Sequence, residues 1–399
     1  MKKLLAVVLA VAMLFAITGC ASGTTDTTTP TDAGTESAAP TDAGTDAAVP
    51  TDNAAGTGLT LDTIKLGFIY IGDASDKGYS YTHIEGAQKM QQELGLRDDQ
   101  IISKFNISED SSCEVAINEL IDAGCNAIFG TSFGFESYML AAAAEHPDVQ
   151  FFHASGNQAA SSGLSNMHNY FGNIYEARYL AGIVAGLKTQ TNKLGYVTAM
   201  PFAECISGFT AFYLGAKSVN PDVTMEVMYT NSWNDPTKEA QVAQALIDMG
   251  CDVLGQHADS TATQTTAEAN GVWSVGYNAD MQEAAPNAVL TSVVWDWSQF
   301  LVKAVNAMVN GEELGPDFSA GLAEGFVDIA PLNEALVAPG TDEAVEAARQ
   351  KILSGEIHVF DGPLVTVDGE TVVAAGEYFT EPQSAPSWSY IIQGIHVNE

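Results

Sequence analysis

The chain has 399 residues, of which 50 are acidic and 15 are Lys or Arg, so its formal net charge at pH 7 is −35. An acidic excess of this size argues against nucleic acid and anionic lipid headgroups as partners, because both are bound through basic patches. The length and the 46% content of hydrophobic residues fit a soluble globular protein that is long enough for two cores.

The first 20 residues have the pattern of a secretory signal. Lys2 and Lys3 precede an apolar core from Leu4 to Ile17, which is shorter than the roughly 20 residues needed to span a bilayer. The small residues before Cys20 resemble a bacterial lipobox, so we expect a signal peptide over 1–19 and lipidation of Cys20. An ordinary signal peptide with an incidental cysteine is the alternative. No later stretch is apolar and long enough to cross a membrane, so lipid alone would anchor the mature protein.

A polar, low-complexity segment follows Cys20. It consists almost entirely of Thr, Ala, Asp, Gly, Ser and Pro, and Pro-Thr-Asp-Ala-Gly-Thr occurs at 30–35 and again at 40–45. Such a composition does not bury a core, so the sequence predicts a disordered acidic tether over residues 20–58. The folded part should begin at Leu59.

Strand and helix patterns alternate in the first half of the folded part. Strands are predicted at 63–71, 101–105, 126–129 and 149–153, and helices at 81–94, 113–122 and 136–145. Strands that alternate with helices form βαβ units around a parallel sheet. We therefore expect a doubly wound first lobe.

The second half repeats this alternation. Helices are predicted at 176–187, 208–219 and 236–249, and strands at 193–197, 224–229, 252–254 and 272–276. The same reasoning predicts a second doubly wound lobe.

The last third of the chain is interpreted as crossing between the lobes. We read the apolar run 289–294 as a strand that returns to the first lobe, with a helix over 298–310 after it and a second return at 322–329. Residues 355–380 favour an antiparallel hairpin pair with Asp368-Gly369 at one turn. The predicted lobes are thus 59–171 plus 294–319, and 172–293 plus 320–399.

A short pattern occurs twice, once in each half. Residues 119–130 (ELIDAGCNAIFG) and 245–256 (ALIDMGCDVLGQ) share Leu, Ile, Asp, Gly and Cys in the same register. In each copy a helix ends at glycine and a short buried strand follows. Polar loops come next, at the carboxyl ends of strands where open α/β sheets bind ligands. Two such loops facing each other would form a cleft, unless the pattern has recurred by chance.

The sequence predicts neither a metal site nor a cofactor. His257 lies beside Asp259, but no second histidine lies at metal-ligand spacing. Besides Cys20, the cysteines form no Cys-x-x-Cys pair, and we favour buried thiols over disulfides for all four. They are Cys113, Cys125, Cys205 and Cys251.

Five motifs occur in an order that carries a family resemblance. They are Gly72–Tyr79 (GDASDKGY), Tyr179–Gly182 (YLAG), Asn231–Pro236 (NSWNDP), Gly276–Asp280 (GYNAD) and Leu290–Val294 (LTSVV). With the lipobox and the tether they resemble the basic membrane protein family of substrate-binding lipoproteins, which includes purine nucleoside receptors of ABC importers. The resemblance covers residues 64 to 326.

The resemblance implies both fold and function. It implies an α/β protein of two doubly wound Rossmann-like lobes, the type I periplasmic-binding-protein fold. It also implies a binding protein rather than an enzyme, lipid-anchored on the extracytoplasmic face of the cell membrane. The implied partners are a purine nucleoside or nucleobase and an ABC permease with its ATPase.

Members of that family hold a purine between two aromatic rings, and the matching positions here are Tyr79 and Trp233. A purine has a flat π-face, and each aromatic stack is worth roughly 1–3 kcal/mol. Packing of either ring against its own lobe is the alternative. Asp76 precedes Tyr79 and is expected to accept hydrogen bonds from purine nitrogens. Phe133, in the loop after the first copy of the repeat, is a further candidate for lining the cleft.

Other matching positions point to the rest of the ligand. Asp259 and Ser260 correspond to a glycine-rich family loop near the ligand, and Asn278 and Asp280 match a motif that contacts the sugar. Trp295 stands where the family has a lysine that reaches the ribose, and Asn278 replaces an acidic residue. A free purine base or another flat heterocycle is therefore an alternative to a nucleoside.

Two other classes of function stay open. An enzyme such as a nucleoside hydrolase is one, although the sequence has no Gly-x-Ser-x-Gly elbow, phosphate-binding glycine loop or His-Glu-x-x-His motif. A lipoprotein sensor, receptor or adhesin for another heterocycle or a sugar is the other.

Overall fold

The computed structural model describes residues 58–398. The predicted signal peptide, Cys20 and the predicted tether up to residue 57 lie outside this range. Between residues 58 and 398, no helix combines the length and apolar character needed to cross a bilayer.

The strands are short and mostly buried. They are β1 Leu66–Ile69, β2 Ile101–Lys104, β3 Ala127–Gly130, β4 Gln150–Ala154, β5 Met167–Gly172, β6 Lys193–Thr198, β7 Thr224–Tyr229, β8 Val253–His257, β9 Trp273–Asn278, β10 Val289–Trp295, β11 Asp317–Ala320, β12 Val327–Ile329, β13 Phe360–Asp361, β14 Leu364–Val365, β15 Thr371–Val373, β16 Tyr378–Phe379 and β17 Ile395–Asn398.

The α-helices connect most of these strands. They are α1 Tyr79–Leu94, α2 Ser111–Asp122, α3 Glu136–Glu145, α4 Ala159–Ser162, α5 Ile174–Lys188, α6 Ala203–Val219, α7 Pro236–Asp248, α8 Ala262–Ala269, α9 Ser298–Asn310 and α10 Thr341–Ser354.

The first sheet has the order β11-β5-β4-β3-β1-β2, and all of its neighbouring strands are parallel. Every residue of β1 and β3 is buried, as expected for strands covered by helices on both faces of a parallel sheet. This sheet and the helices on it form the first lobe.

The second sheet has the order β12-β10-β9-β8-β6-β7-β17. Its strands are parallel except for the antiparallel pair of β10 with β12. The interpretation of Val289–Val294 as a return to the first lobe was wrong, because Val293 pairs with Tyr277 of β9. A buried apolar run fits the centre of either parallel sheet, so the sequence does not specify which sheet takes it.

The repeated pattern occupies the same place in both lobes. Helices α2 and α7 each end just before a left-handed glycine, Gly124 with φ 82° and Gly250 with φ 91°. Strand β3 then lies between β1 and β4, and β8 lies between β6 and β9. The order β5-β4-β3-β1-β2 therefore matches β10-β9-β8-β6-β7, and the two halves share one topology.

Helices α5 and α6 pack with their backbones close together. A Cβ atom on Gly182 would lie 2.0 Å from the carbonyl oxygen of Phe212, and one on Gly215 would lie 1.9 Å from that of Tyr179. Only glycine permits this approach. The packing covers one face of the second sheet with α5, which also contacts β10.

The chain passes between the sheets three times, between β5 and β6, between β10 and β11, and between β11 and β12. The exact lobe boundaries given above stay a prediction. The predicted hairpin region contains two antiparallel pairs, β13 with β16 and β14 with β15, and Asp368-Gly369 turns the second pair.

Four cysteines lie in the described residues, and all are buried and free of disulfides. This confirms the prediction of thiols for Cys113, Cys125, Cys205 and Cys251.

Candidate ligand-binding site

A pocket lies between the two lobes, and the space inside it, counted together with the part open to solvent, is about 340 Å³. Its walls come from residues at or just beyond the carboxyl ends of parallel strands, the position where open α/β sheets bind ligands. The first lobe contributes Ile71, Tyr79, Ser132, Phe133 and Ser155, and the second contributes Glu204, Trp233, His257, Asp259 and Tyr277.

Tyr79 is the first residue of α1 and reaches the pocket from the first lobe. Its ring meets His83 edge-on at 4.5 Å between centroids and Trp297 edge-on at 5.9 Å. Burial raises the pKa of the Tyr79 hydroxyl well above its ordinary value, so the group stays protonated. The supporting rings hold Tyr79 in one orientation at the pocket wall.

Trp233 reaches the same pocket from the second lobe, in the loop after β7. Its backbone carbonyl accepts a hydrogen bond of 2.9 Å from the N–H of Asp259, which ties the loops after β7 and β8 together. The structure thus brings Tyr79 and Trp233, both singled out from the sequence, to one pocket. Stacking of either ring on a ligand stays a prediction.

The environment of Asp76 differs from the one expected of a residue that accepts hydrogen bonds from a ligand. Its carboxylate accepts hydrogen bonds from the backbone N–H groups of Gly78, Ser80 and Tyr81 at 2.8–3.0 Å. These groups belong to the start of α1, where a helix has unpaired N–H donors that acidic side chains cap. Asp76 does not line the pocket, so its geometry supports a helix cap in place of a ligand acceptor.

Ser260 and Asp280 also lie outside the pocket lining. The Ser260 hydroxyl donates a hydrogen bond of 2.5 Å to Glu239. Asp280 is exposed, and its carboxylate accepts from the N–H of Gln282 at 3.0 Å. Both side chains stabilise their own loops.

Trp295 and Asn278 lie behind Asp259, outside the pocket lining. The indole N–H of Trp295 donates to the Asn278 side-chain oxygen at 3.2 Å, and the Asn278 amide donates to Asp259 Oδ1 at 3.0 Å. Trp295 is 6% exposed and stacks on Trp297 with centroids 4.4 Å apart. The position that the resemblance associates with a ribose-binding lysine is therefore filled by a buried ring.

Asp259 is the acidic group at the centre of this arrangement. It is 6% exposed and lines the pocket. Burial raises the pKa of Asp259 well above its ordinary value, and the negative charges of Asp76 and Glu239 raise it further. A protonated carboxyl group donates a hydrogen bond as well as accepting one. The raised pKa favours this protonated form, in which Asp259 offers a donor to the pocket.

Sequence reasoning missed six of the lining residues, which are Ile71, Ser132, Ser155, Glu204, His257 and Tyr277. Nε2 of His257 lies 3.1 Å from Glu204 Oε1 and 3.5 Å from the Tyr277 hydroxyl. Burial lowers the pKa of His257, so the ring is neutral and donates through Nε2 to the carboxylate. The signal was present, because Glu204 comes soon after the predicted strand 193–197. The predicted helix began at Gly208, which left Glu204 in an unassigned loop.

Two contacts join the lobes beside the pocket. The rings of Phe133 and Phe202 lie 5.3 Å apart, and both side chains are about 40% exposed. A Cβ atom on Gly78 would lie 2.1 Å from the carbonyl oxygen of Asp259. The first lobe therefore touches the second at an aromatic pair and at a backbone-to-backbone contact.

The family model for PnrA-like substrate-binding proteins of ABC transporters, called Bmp, matches residues 63–361. The chain belongs to this family. The resemblance stated from the sequence motifs is thereby confirmed, and the protein is a Bmp-family substrate-binding protein of the ABC transporter type. Proteins of this class are not enzymes.

Known relatives differ in the ligands for which they are named. A purine-binding protein of Brucella abortus is 34% identical over 84% of this chain and 93% of its own length. A putative ABC transporter glucose-binding protein of Haloferax volcanii is 34% identical over 75% of each chain.

A solved structure supports the fold of this Bmp-family protein. An ABC transporter solute-binding protein from Aeropyrum pernix K1 matches with a TM-score of 0.64 at 20% identity, over 75% of this chain and 94% of its own. At this identity the likeness shows the fold alone. The predicted type I periplasmic-binding-protein fold of two α/β lobes is confirmed.

Proposed function

We propose that this protein is the extracytoplasmic receptor of an ABC importer and that it captures a purine between its lobes. The observation that carries the proposal is that Tyr79 and Trp233 line one pocket from opposite lobes. Two aromatic faces suit a flat heterocycle, and a ligand that stacks on both would favour the closed arrangement of the lobes. The purine-binding name of the Brucella abortus relative supports the same ligand class.

A free purine base is favoured over a nucleoside. Asn278, Asp280 and Trp295, which the family resemblance associates with the sugar, do not line the pocket. Trp295 is buried and its indole N–H is bonded to Asn278. A ribose seated where the resemblance places the sugar would have to displace this packed ring, whereas a free base would not.

A sugar is the second candidate ligand. The Haloferax volcanii relative carries a glucose-binding name at the same 34% identity. The pocket also has several polar groups that suit hydroxyls, among them Ser132 and Ser155. Glucose packs on aromatic rings only through its C–H faces, whereas a purine stacks through a full π-face, and for that reason the purine takes precedence.

Delivery to a permease and its ATPase completes the proposed role. We propose that lipidated Cys20 holds the receptor at the outer face of the membrane and that the tether lets the two-lobed part reach the permease. The family assignment supports this partner, since its members work with ABC transporters.

The ligand is tested by calorimetric titration with adenine, guanine, hypoxanthine, their nucleosides and glucose. We expect a base to bind more tightly than its nucleoside, and glucose not to bind. Tyr79→Ala and Trp233→Ala should each weaken the binding of that base about 5- to 150-fold, because each removes one stack.

Tyr81→Ala is the matched control for Tyr79. Tyr81 lies on the same helix, bonds to Glu85 and does not line the pocket, so its loss should leave affinity unchanged. Binding of glucose but of no purine would overturn the ligand assignment. Tyr79→Ala and Trp233→Ala variants that bind the purine as tightly as the parent would overturn the roles of these two rings.

A further inference from the structure

We propose that Glu204 determines which heterocycle this pocket accepts, by taking a hydrogen bond from a ring N–H or an exocyclic amine of the ligand. This inference rests on the proposed function and names the acceptor within the same site.

The position of Glu204 is that of a ligand-facing group. It lies in the first turn of α6, its side chain is 14% exposed, and it lines the pocket. Oε1 is engaged by His257. Oε2 has no hydrogen-bond partner within residues 58–398, so one carboxylate oxygen is left for a donor that enters the pocket.

Buried groups behind Glu204 fix its orientation. His257 is 2% exposed, and its neutral ring donates to Oε1. The Tyr277 hydroxyl lies near the same nitrogen, and the guanidinium of Arg178 lies 3.8 Å over the Tyr277 ring. Arg178 also donates to the backbone carbonyl of Gln256, the residue before His257. A carboxylate held in this way loses little side-chain entropy when it binds, which favours selectivity.

Glu204 and Asp259 give the pocket opposite hydrogen-bonding characters at two places. Asp259 lines the same pocket, and in the protonated form that its raised pKa favours it offers a donor, whereas Glu204 offers an acceptor. A ligand with an N–H on one edge and a lone pair on another satisfies both groups. Purine bases have such edges, and methylation of the N–H that faces Glu204 would leave a buried acceptor without its partner.

The experiment titrates the purine found to bind, and its N-methylated analogues in turn, into the parent protein and Glu204→Gln. Glutamine has one acceptor oxygen where glutamate has two, so as long as His257 donates through Nε2 it cannot serve both His257 and the ligand. We expect Glu204→Gln to weaken binding of the unmethylated purine about 10- to 150-fold. The analogue that is methylated at the nitrogen facing Glu204 should bind the parent and the variant with equal affinity.

Glu343→Gln is the matched control, because Glu343 is an exposed acidic residue in the first turn of α10. It should bind every analogue as the parent does. The unliganded melting temperature of Glu204→Gln distinguishes a loss of binding from a loss of folding.

Equal affinity of Glu204→Gln and the parent for the unmethylated purine would overturn the inference. A loss of the same size for every analogue would also overturn it, since that is the result of a purely structural role. Failure of the parent to bind any purine would overturn the proposed function together with the inference, and is thereby distinguishable from the other two results.

Discussion

Replacing Gly78 with alanine should weaken ligand binding, because Gly78 is a point at which the lobes touch. An alanine Cβ would lie 2.1 Å from the Asp259 carbonyl oxygen and 2.9 Å from its carbonyl carbon. Real Cβ atoms essentially never come within 3.0 Å of another heavy atom. The obstacle is backbone, so it cannot be relieved by a change of rotamer.

The size of the effect follows from the cost of inserting one methyl group into a packed contact, about 1–3 kcal/mol. This cost applies to the arrangement in which the lobes meet, and separated lobes would not bear it. If the ligand binds the closed arrangement, the dissociation constant should therefore rise about 5- to 150-fold. The melting temperature of the unliganded protein should change less than that of the complex.

The assay is calorimetric titration of the parent and Gly78→Ala with the purine that binds the parent. Gly315→Ala is the control, because its Cβ would meet only the Asp317 carbonyl oxygen at an ordinary distance of 3.8 Å. An unchanged affinity of Gly78→Ala would show that ligand binding does not need this contact. An equal loss of affinity in Gly315→Ala would show that an added methyl group weakens binding wherever it is placed.

Three further predictions concern a buried acid, the anchor and the thiols. The pKa of Asp259 is raised in the folded protein. Protonation of Asp259 therefore contributes stability that is fully present below the ordinary pKa of aspartate and is lost as pH rises through the folded-state pKa. Asp259→Asn should therefore melt above the parent at pH 8 and near it at pH 4; a constant difference across that range would contradict the reasoning. Cys20→Ser should release the protein from membranes without changing its ligand affinity, and membrane retention in a fractionation would contradict lipidation. The four described cysteines are buried with their pKa raised to about 11–12, so they should react with a thiol reagent at pH 8 only after denaturant is added.

The sequence predicted elements best where local signals were complete. Helices Glu136–Glu145 and Ser298–Asn310 were predicted with the bounds that the structure has, and the second ends at a left-handed glycine. Strand β5, Met167–Gly172, was missed, because His168 and Asn169 interrupt its apolar pattern. His168 hydrogen-bonds Gly315, which lies 147 residues away in the chain. Partners at such separation are invisible to local patterns.

The sequence predicted only part of the site, because some of its residues depend on partners that are distant in the chain. Tyr79 and Trp233 lie in recognisable motifs, and the structure brings both to the pocket. Asp76 looked identical as a ligand acceptor and as a helix cap, and only the positions of its three N–H donors distinguish the two. Glu204 was missed because its partner His257 is 53 residues away. Neither residue alone signals a site.

The shared strand order of the lobes makes the pocket a pseudo-twofold structure. Tyr79 follows β1 as Glu204 follows β6, Phe133 follows β3 as Asp259 follows β8, and Ser155 follows β4 as Tyr277 ends β9. Each of these three positions on one wall thus has a counterpart on the other, whereas Trp233 follows β7 and no lining residue follows its counterpart β2. The two walls now differ in chemistry, since the first presents hydroxyls and apolar rings while the second carries the carboxyl groups. An asymmetric ligand therefore meets different partners in its two possible orientations.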